Sequence, residues 1–110
     1  MSDIKEFEGT WHIYEMESWD EDYFNMEVQA FIEIMSECRG RFQFGLVRGT
    51  LDIDEIGGDG RIDFTWDGAD ENEEASGGGW LKLKDKNTLE GKIKLHDGDS
   101  STLLAKRAVE

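Results

Sequence analysis

The chain predicts an all-β fold, and within that class an eight-stranded antiparallel up-and-down barrel. Eight short segments alternate apolar with polar residues, the period of a strand that buries one face. Its 13 glycines, and the absence of proline, place turn signals between those segments without interrupting them. No stretch of useful length follows the 3.6-residue period of an amphipathic helix. Closing such a meander pairs the first strand with the last and removes both sheet edges. A β-sandwich built from the same strands is the main alternative.

The first strand covers 9–17 and opens with Gly9-Thr10-Trp11-His12-Ile13. Residues 18–27, Ser-Trp-Asp-Glu-Asp-Tyr-Phe-Asn-Met-Glu, fit neither period and read as a long loop with room for one helical turn. The second strand is 28–36, with Ala30, Ile32 and Ile34 on one face, and a tight turn at 37–40 follows. The third, 41–47, sets Phe42, Phe44 and Leu46 against Gln43, Gly45 and Val47; Gly49 then allows a sharp connection to the fourth at 50–56. Gly57-Gly58-Asp59-Gly60 is the clearest hairpin signal. Beyond it the fifth strand, 61–66, puts Ile62, Phe64 and Trp66 on one side. Acidic residues and Ser76-Gly77-Gly78-Gly79 mark 67–79 as a long, solvent-facing loop. The sixth strand, 80–84, the seventh, 88–95, and the eighth, 101–108, are joined by turns at 85–87 and at His96-Asp97-Gly98-Asp99.

A length of 110 residues suits one domain, spanning 1–110, with one core. Hydrophobic residues make up 37% and include 4 Trp, 2 Tyr and 6 Phe, enough for a folded interior. The net charge of −14 disfavours nucleic acid and anionic membranes as partners and favours cations and basic proteins. Cys38 is the sole cysteine, which leaves no intrachain disulfide and argues against a thiolate zinc site. Residues 1–8 lack an apolar signal core, so the cytoplasm is the expected compartment.

In a meander, alternate loops share one end. The first, third, fifth and seventh connections fall together, and these include both of the long loops, at 18–27 and 67–79. That end is therefore the expected functional mouth. It gathers Asp20, Asp22, Asp67, Asp70, Glu71, Glu73, Asp97 and Asp99, with Trp19, Tyr23 and His96 among them and Arg48 as its one obvious cation. Strict alternation from Trp11 turns Glu15 into the upper barrel. A carboxylate held in apolar surroundings suits acid–base chemistry or cation capture, since desolvation disfavours its charged form. A β-bulge would instead rotate Glu15 to solvent and Met16 inward.

The expected ligand-binding set is thus Glu15, Trp19, Asp20, Tyr23, Arg48, Trp66, Asp70, Glu71, His96 and Asp99, with Glu15 and His96 as the candidate catalytic residues. No nucleophile-elbow pattern accompanies His12 or His96, and Gly77–Gly79 leads into a strand rather than a phosphate-binding helix. Asp52-x-Asp54 followed by Gly57 fails as a calcium loop, because Ile56 stands at a ligand position and the flanks read as strands. No metal or cofactor is expected.

The Gly-x-Trp of Gly9-Thr10-Trp11, read against Arg107 in the last strand, resembles the calycin (lipocalin-like) signature. That resemblance implies a barrel in which the guanidinium of Arg107 covers the indole of Trp11. The runs Glu15-Met16-Glu17-Ser18-Trp19-Asp20, Phe44-Gly45, Ser76-Gly77-Gly78-Gly79-Trp80 and His96-Asp97-Gly98-Asp99 are similar to a group of small bacterial proteins with no assigned activity. Calycins in general bind small apolar ligands. Here bulky inward residues leave little room inside, so the expected function is a module binding a small ligand or a basic partner at the mouth. An enzyme using Glu15 and His96, with Arg48 as polar partner, is the competing expectation.

Overall fold

The structure, a computed structural model, describes residues 4–36, 38–54, 57, 60–96, 98 and 100–108. Eight strands close into one antiparallel barrel in sequence order: β1 (Gly9–Met16), β2 (Phe31–Met35), β3 (Arg39–Phe44), β4 (Val47–Ile53), β5 (Arg61–Asp70), β6 (Glu73–Asp85), β7 (Thr88–Leu95) and β8 (Ser100–Arg107). The closing seam pairs β1 with β8, from Trp11 opposite Arg107 to Met16 opposite Leu103. The all-β, up-and-down architecture expected from the alternation is present.

The floor is a short 3₁₀ helix, Ile4–Phe7, that tucks the fully buried Phe7 under the barrel. Trp11 is fully buried above it and donates its indole N–H to the Phe7 carbonyl at 2.8 Å. The Arg107 guanidinium lies 4.2 Å from the centre of the Trp11 ring. It also donates to the carbonyls of Glu8 and Glu6 at 2.9 Å each, and to that of Lys86 at 3.3 Å. One cation therefore ties the last strand to the floor helix and to the β6–β7 turn.

Inward positions hold Phe42, Phe44, Phe64 and Trp66, and these large rings are matched by glycines at other inward positions. A Cβ on Gly49 would lie 2.7 Å from the Trp66 ring and 2.9 Å from Phe42. On Gly79 it would lie 2.7 Å from Phe64 and also strike the Lys92 carbonyl, and on Gly77 it would strike the Lys94 carbonyl. Small-against-large matching lets the wall curl tightly around aromatic side chains. The Trp66 indole N–H is satisfied by the Lys94 carbonyl at 3.0 Å, so this buried indole leaves no donor unpaired.

Two connections expected from the sequence are corrected. The β3–β4 turn lies at Gly45-Leu46, not at Gly49, because Gly45 takes the left-handed conformation (φ 56°) while Gly49 is needed inside β4 as the seat of Trp66. The third and fourth strands shift accordingly, and residues 55–56 of the expected fourth strand lie outside the described residues. The segment 67–79 is not a loop. β5 runs on to Asp70 and β6 starts at Glu73, paired from Asp70 opposite Glu73 to Arg61 opposite Lys82. The glycines there satisfy packing rather than flexibility, and the turn is only Glu71-Asn72, with Glu71 at φ 60°. The Gly57–Gly60 connection stands: Gly57 N–H donates to the Arg61 carbonyl at 2.9 Å and Gly60 has φ 83°, whereas residues 58 and 59 lie outside the described set.

Candidate functional site

The up-and-down order places the β1–β2, β3–β4, β5–β6 and β7–β8 connections at one end, as the meander requires. Only the first of them is long, and it closes the mouth instead of leaving it open. Its core is α1 (Glu21–Phe24), whose N-cap Asp20 accepts from the Tyr23 N–H at 3.1 Å. Glu21 and Asp22 in the first turn favour the same helix end electrostatically. Phe24 is buried, and its carbonyl accepts the Gly45 N–H at 2.9 Å. The Tyr23 ring occupies the space that a Cβ on Gly45 would need. The other side of the lid is fixed by Ser18, whose N–H donates to Ser101 Oγ at 3.0 Å and whose hydroxyl donates to the Ser100 carbonyl at 2.7 Å.

Beneath this lid an aromatic column runs into the barrel. Trp19 stacks on Tyr23 with ring centres 6.1 Å apart and tilts against Phe44 at 5.0 Å. Phe44 stacks on Phe42 at 5.8 Å, and Phe42 meets Trp66 edge-on at 5.1 Å. Rings fill the axis where a carrier barrel would hold its ligand. Of the expected site residues, Trp19, Asp20 and Tyr23 are therefore brought together in the lid, while Trp66 lies buried below them.

Glu15 does not enter the barrel. The β1–β8 register shifts between Ile13 and Glu15, so Ile13 and Met16 are buried and Glu15 is exposed. The requirement that Glu15 sit in apolar surroundings as an acid or base is not met.

Asp70 and Glu71 stand at the tip of the β5–β6 hairpin, where the Glu71 N–H donates to the Leu46 carbonyl at 2.9 Å and fixes the hairpin to the β3–β4 turn. His96 lies across β6 with its Nδ1 3.1 Å from Ser76 Oγ. Its backbone N–H donates to the Ser76 carbonyl at 2.9 Å. Asp70, Glu73, Glu74, Ala75, Ser76, Leu95, His96 and Gly98 line a cavity of about 210 Å³ there. Asp97 and Asp99 lie outside the described residues. No set of three or more His, Cys, Asp or Glu among the described residues is placed to hold a metal ion.

Arg48 is separated from this group. It faces outward from β4, opposite Gln43 and Ala69, and shares an open groove of about 430 Å³ with Arg41, Thr50, Phe31 and Asp67. A larger open depression of about 760 Å³ lies at the opposite end, between the β6–β7 turn and Lys106–Ala108.

The sequence reading missed three participants. Phe24 plugs the mouth, Gly45 seats Tyr23, and Ser76 partners His96. The first was readable in part, since Asp20 followed by two acidic residues is a helix-start pattern that reaches Phe24. Ser76 carried no local signal, because its partner is 20 residues away.

The assembled end is acidic, with apolar side chains on its surface: Met26 is 53% exposed and Val28 43%. Chemically it offers carboxylate acceptors around a packed aromatic plug, and one Ser–His hydrogen bond at its edge. Among the described residues no helix is long and apolar enough to cross a membrane. No protein-family model, curated protein or solved structure matches the chain.

Proposed function

We propose that the chain is a binding module that takes a basic protein segment on its acidic, lid-covered end, and that its barrel belongs with the calycin-like barrels. The single observation that carries the function is the closed mouth: Trp19, Phe44, Phe42 and Trp66 occupy the axis under α1. A small apolar ligand would have to displace packed rings, whereas a polypeptide needs only the outer surface. There Asp20, Glu21, Asp22, Asp70, Glu71, Glu73 and Glu74 supply charge, and Met26 and Val28 supply apolar contact. The Arg107–Trp11 contact supports the calycin-like assignment.

The test uses fluorescence anisotropy with a labelled short peptide alternating lysine and threonine, and a fluorescent fatty acid as the competing probe. The peptide is expected to bind, more weakly as NaCl is raised, and Glu73→Gln/Glu74→Gln to reduce its affinity. Stoichiometric uptake of the fatty acid, or no peptide binding at low salt, would overturn the reading.

A second reading, an enzyme, is favoured by the His96–Ser76 hydrogen bond inside a cavity lined with carboxylates. It requires Ser76→Ala and His96→Gln each to abolish turnover of a cationic ester while leaving peptide binding intact.

A further inference from the structure

Charge is segregated along this chain. Residues 6–38 contain no Lys or Arg, whereas 80–94 contain Lys82, Lys84, Lys86, Lys92 and Lys94 against Asp85 and Glu90. The barrel gathers part of that excess on one outer face. Outward residues form cross-strand rows over β5, β6 and β7: Arg61–Lys82–Glu90, then Asp63–Trp80–Lys92, then Thr65–Gly78–Lys94. Trp80 stands at the centre, a large indole on the outside of the wall and only half-buried. The Arg61 guanidinium lies 5.6 Å from its ring centre. Beside it Gly78 leaves the wall bare, for a Cβ there would meet only the Phe64 carbonyl, at 3.2 Å.

Arg61 is paired with Asp63 at 3.5 Å, and Glu90 stands opposite Lys82 in register. Lys82, Lys92 and Lys94 make no ion pair among the described residues, although the chain holds 26 carboxylates. Neighbouring like charges on a sheet face repel. Gathering Lys82, Lys92 and Lys94 around the half-buried indole of Trp80 costs stability through that repulsion, and none of the three lysines recovers it in an ion pair among the described residues.

We propose that this face is a docking surface for an acidic, extended polypeptide segment, independent of the lid-covered end. Lys92 and Lys94 share a face at a strand's two-residue spacing of roughly 6.6 Å, which matches alternate carboxylates of an extended chain. The bare strip at Gly78 admits a partner side chain against the edge of Trp80. A short peptide fits better than a nucleic acid. Screening over a Debye length of about 8 Å at physiological salt lets the local face govern a short ligand. A longer polyanion would run into the field of the remaining carboxylates.

The experiment is anisotropy of a labelled short peptide alternating glutamate and threonine with one central tyrosine, across a NaCl series, with unlabelled oligothymidylate as competitor. Binding is expected to be weak at very low salt, where the net charge of −14 repels the probe, strongest at intermediate salt, and lost at high salt. Lys92→Gln/Lys94→Gln is expected to weaken it about tenfold. Trp80→Thr, which keeps strand propensity, is expected to weaken it too, and Lys86→Gln at the far turn to leave it unchanged. Binding of the lysine–threonine peptide should be the same in all of these variants, which separates this face from the acidic end. Should the double variant lose its fold by circular dichroism, Lys82→Gln and Lys92→Gln taken singly replace it. Absence of acidic-peptide binding at every salt concentration, unaltered affinity in the lysine and Trp80 variants, or displacement by oligothymidylate at lower concentration than by unlabelled peptide would each overturn the proposal.

Discussion

Arg107 and Trp11 face one another across the seam of the barrel, directly opposite in register and 4.2 Å apart from guanidinium carbon to ring centre. The contact does more than cover an indole. The same guanidinium reaches the carbonyls of Glu6, Glu8 and Lys86, which belong to the floor and to a distant turn. A lysine could keep the charge but not the fork of donors.

Arg107→Ala is therefore expected to destabilise the protein by about 3 kcal/mol, from lost charge-assisted hydrogen bonds and the ring contact together. Arg107→Lys should recover less than half of that loss. Chemical denaturation of the three proteins measures it; equal stability of Arg107→Ala and wild type would remove the floor clamp from the account.

The glycine–aromatic match predicts a contrast between two substitutions. A Cβ on Gly77 collides with the Lys94 carbonyl, so Gly77→Ala must spread β6 from β7 and is expected to cost at least about 3 kcal/mol. Gly98 has nothing within 4 Å of its would-be Cβ, and Gly98→Ala should stay within about 0.5 kcal/mol. Thermal melts of both proteins decide the matter, and similar melting temperatures would contradict it.

The lid makes a dynamic prediction. Tyr23→Ala removes the ring seated on Gly45 and is expected to cost about 2 kcal/mol of apolar burial. Hydrogen exchange should accelerate most at the Gly45 N–H, which donates to Phe24, and little at the Trp11–Arg107 floor. Uniform acceleration across the barrel would mean that the lid does not open as a unit.

Crowded carboxylates on the lid and hairpin repel, and α1 has no basic residue in its last turn to offset them. Added NaCl is expected to raise the melting temperature, and Glu74→Lys to raise it at low salt while flattening the salt response. A melting temperature indifferent to salt in the wild type would remove charge repulsion as a stress on this end.

Alternation made the strands readable because side-chain direction repeats every two residues, and one wet face exposes that pattern. It carried the eight-strand count and the common end of the long loop and the hairpin, while the resemblance to the calycin signature carried the meeting of Trp11 with Arg107. It failed where glycine has two meanings. Gly49, Gly77 and Gly79 read as turn or loop residues, yet each makes space inside the wall for a ring contributed by another strand, a reason that local sequence does not contain. Glu15 shows the other limit. A single extra residue in the β1–β8 ladder reverses which side chains point inward; Tyr14-Glu15-Met16 admits both strict alternation and the bulge, and the pairing with β8 selects the bulge.

The acidic end was legible as composition but not as shape. Its carboxylates were countable, whereas closure by Phe24 and Tyr23 depends on their meeting Phe44 and Gly45 across the top of the barrel.

The Arg107 clamp also constrains how the chain is born. Its guanidinium bonds to a carbonyl 99 residues earlier, so a ribosome must release nearly the whole barrel before the seam can form. Until then β1 presents an open edge to any neighbouring nascent chain, and such exposed edges invite mispairing. The exposed acidic side chains of the early segment, Glu15 in β1, Glu17 just after it and Asp20 to Asp22 in the lid, are translated long before β8. They give the unfinished sheet a repulsive coat during that wait, so the charge that stresses the finished mouth protects the half-made one.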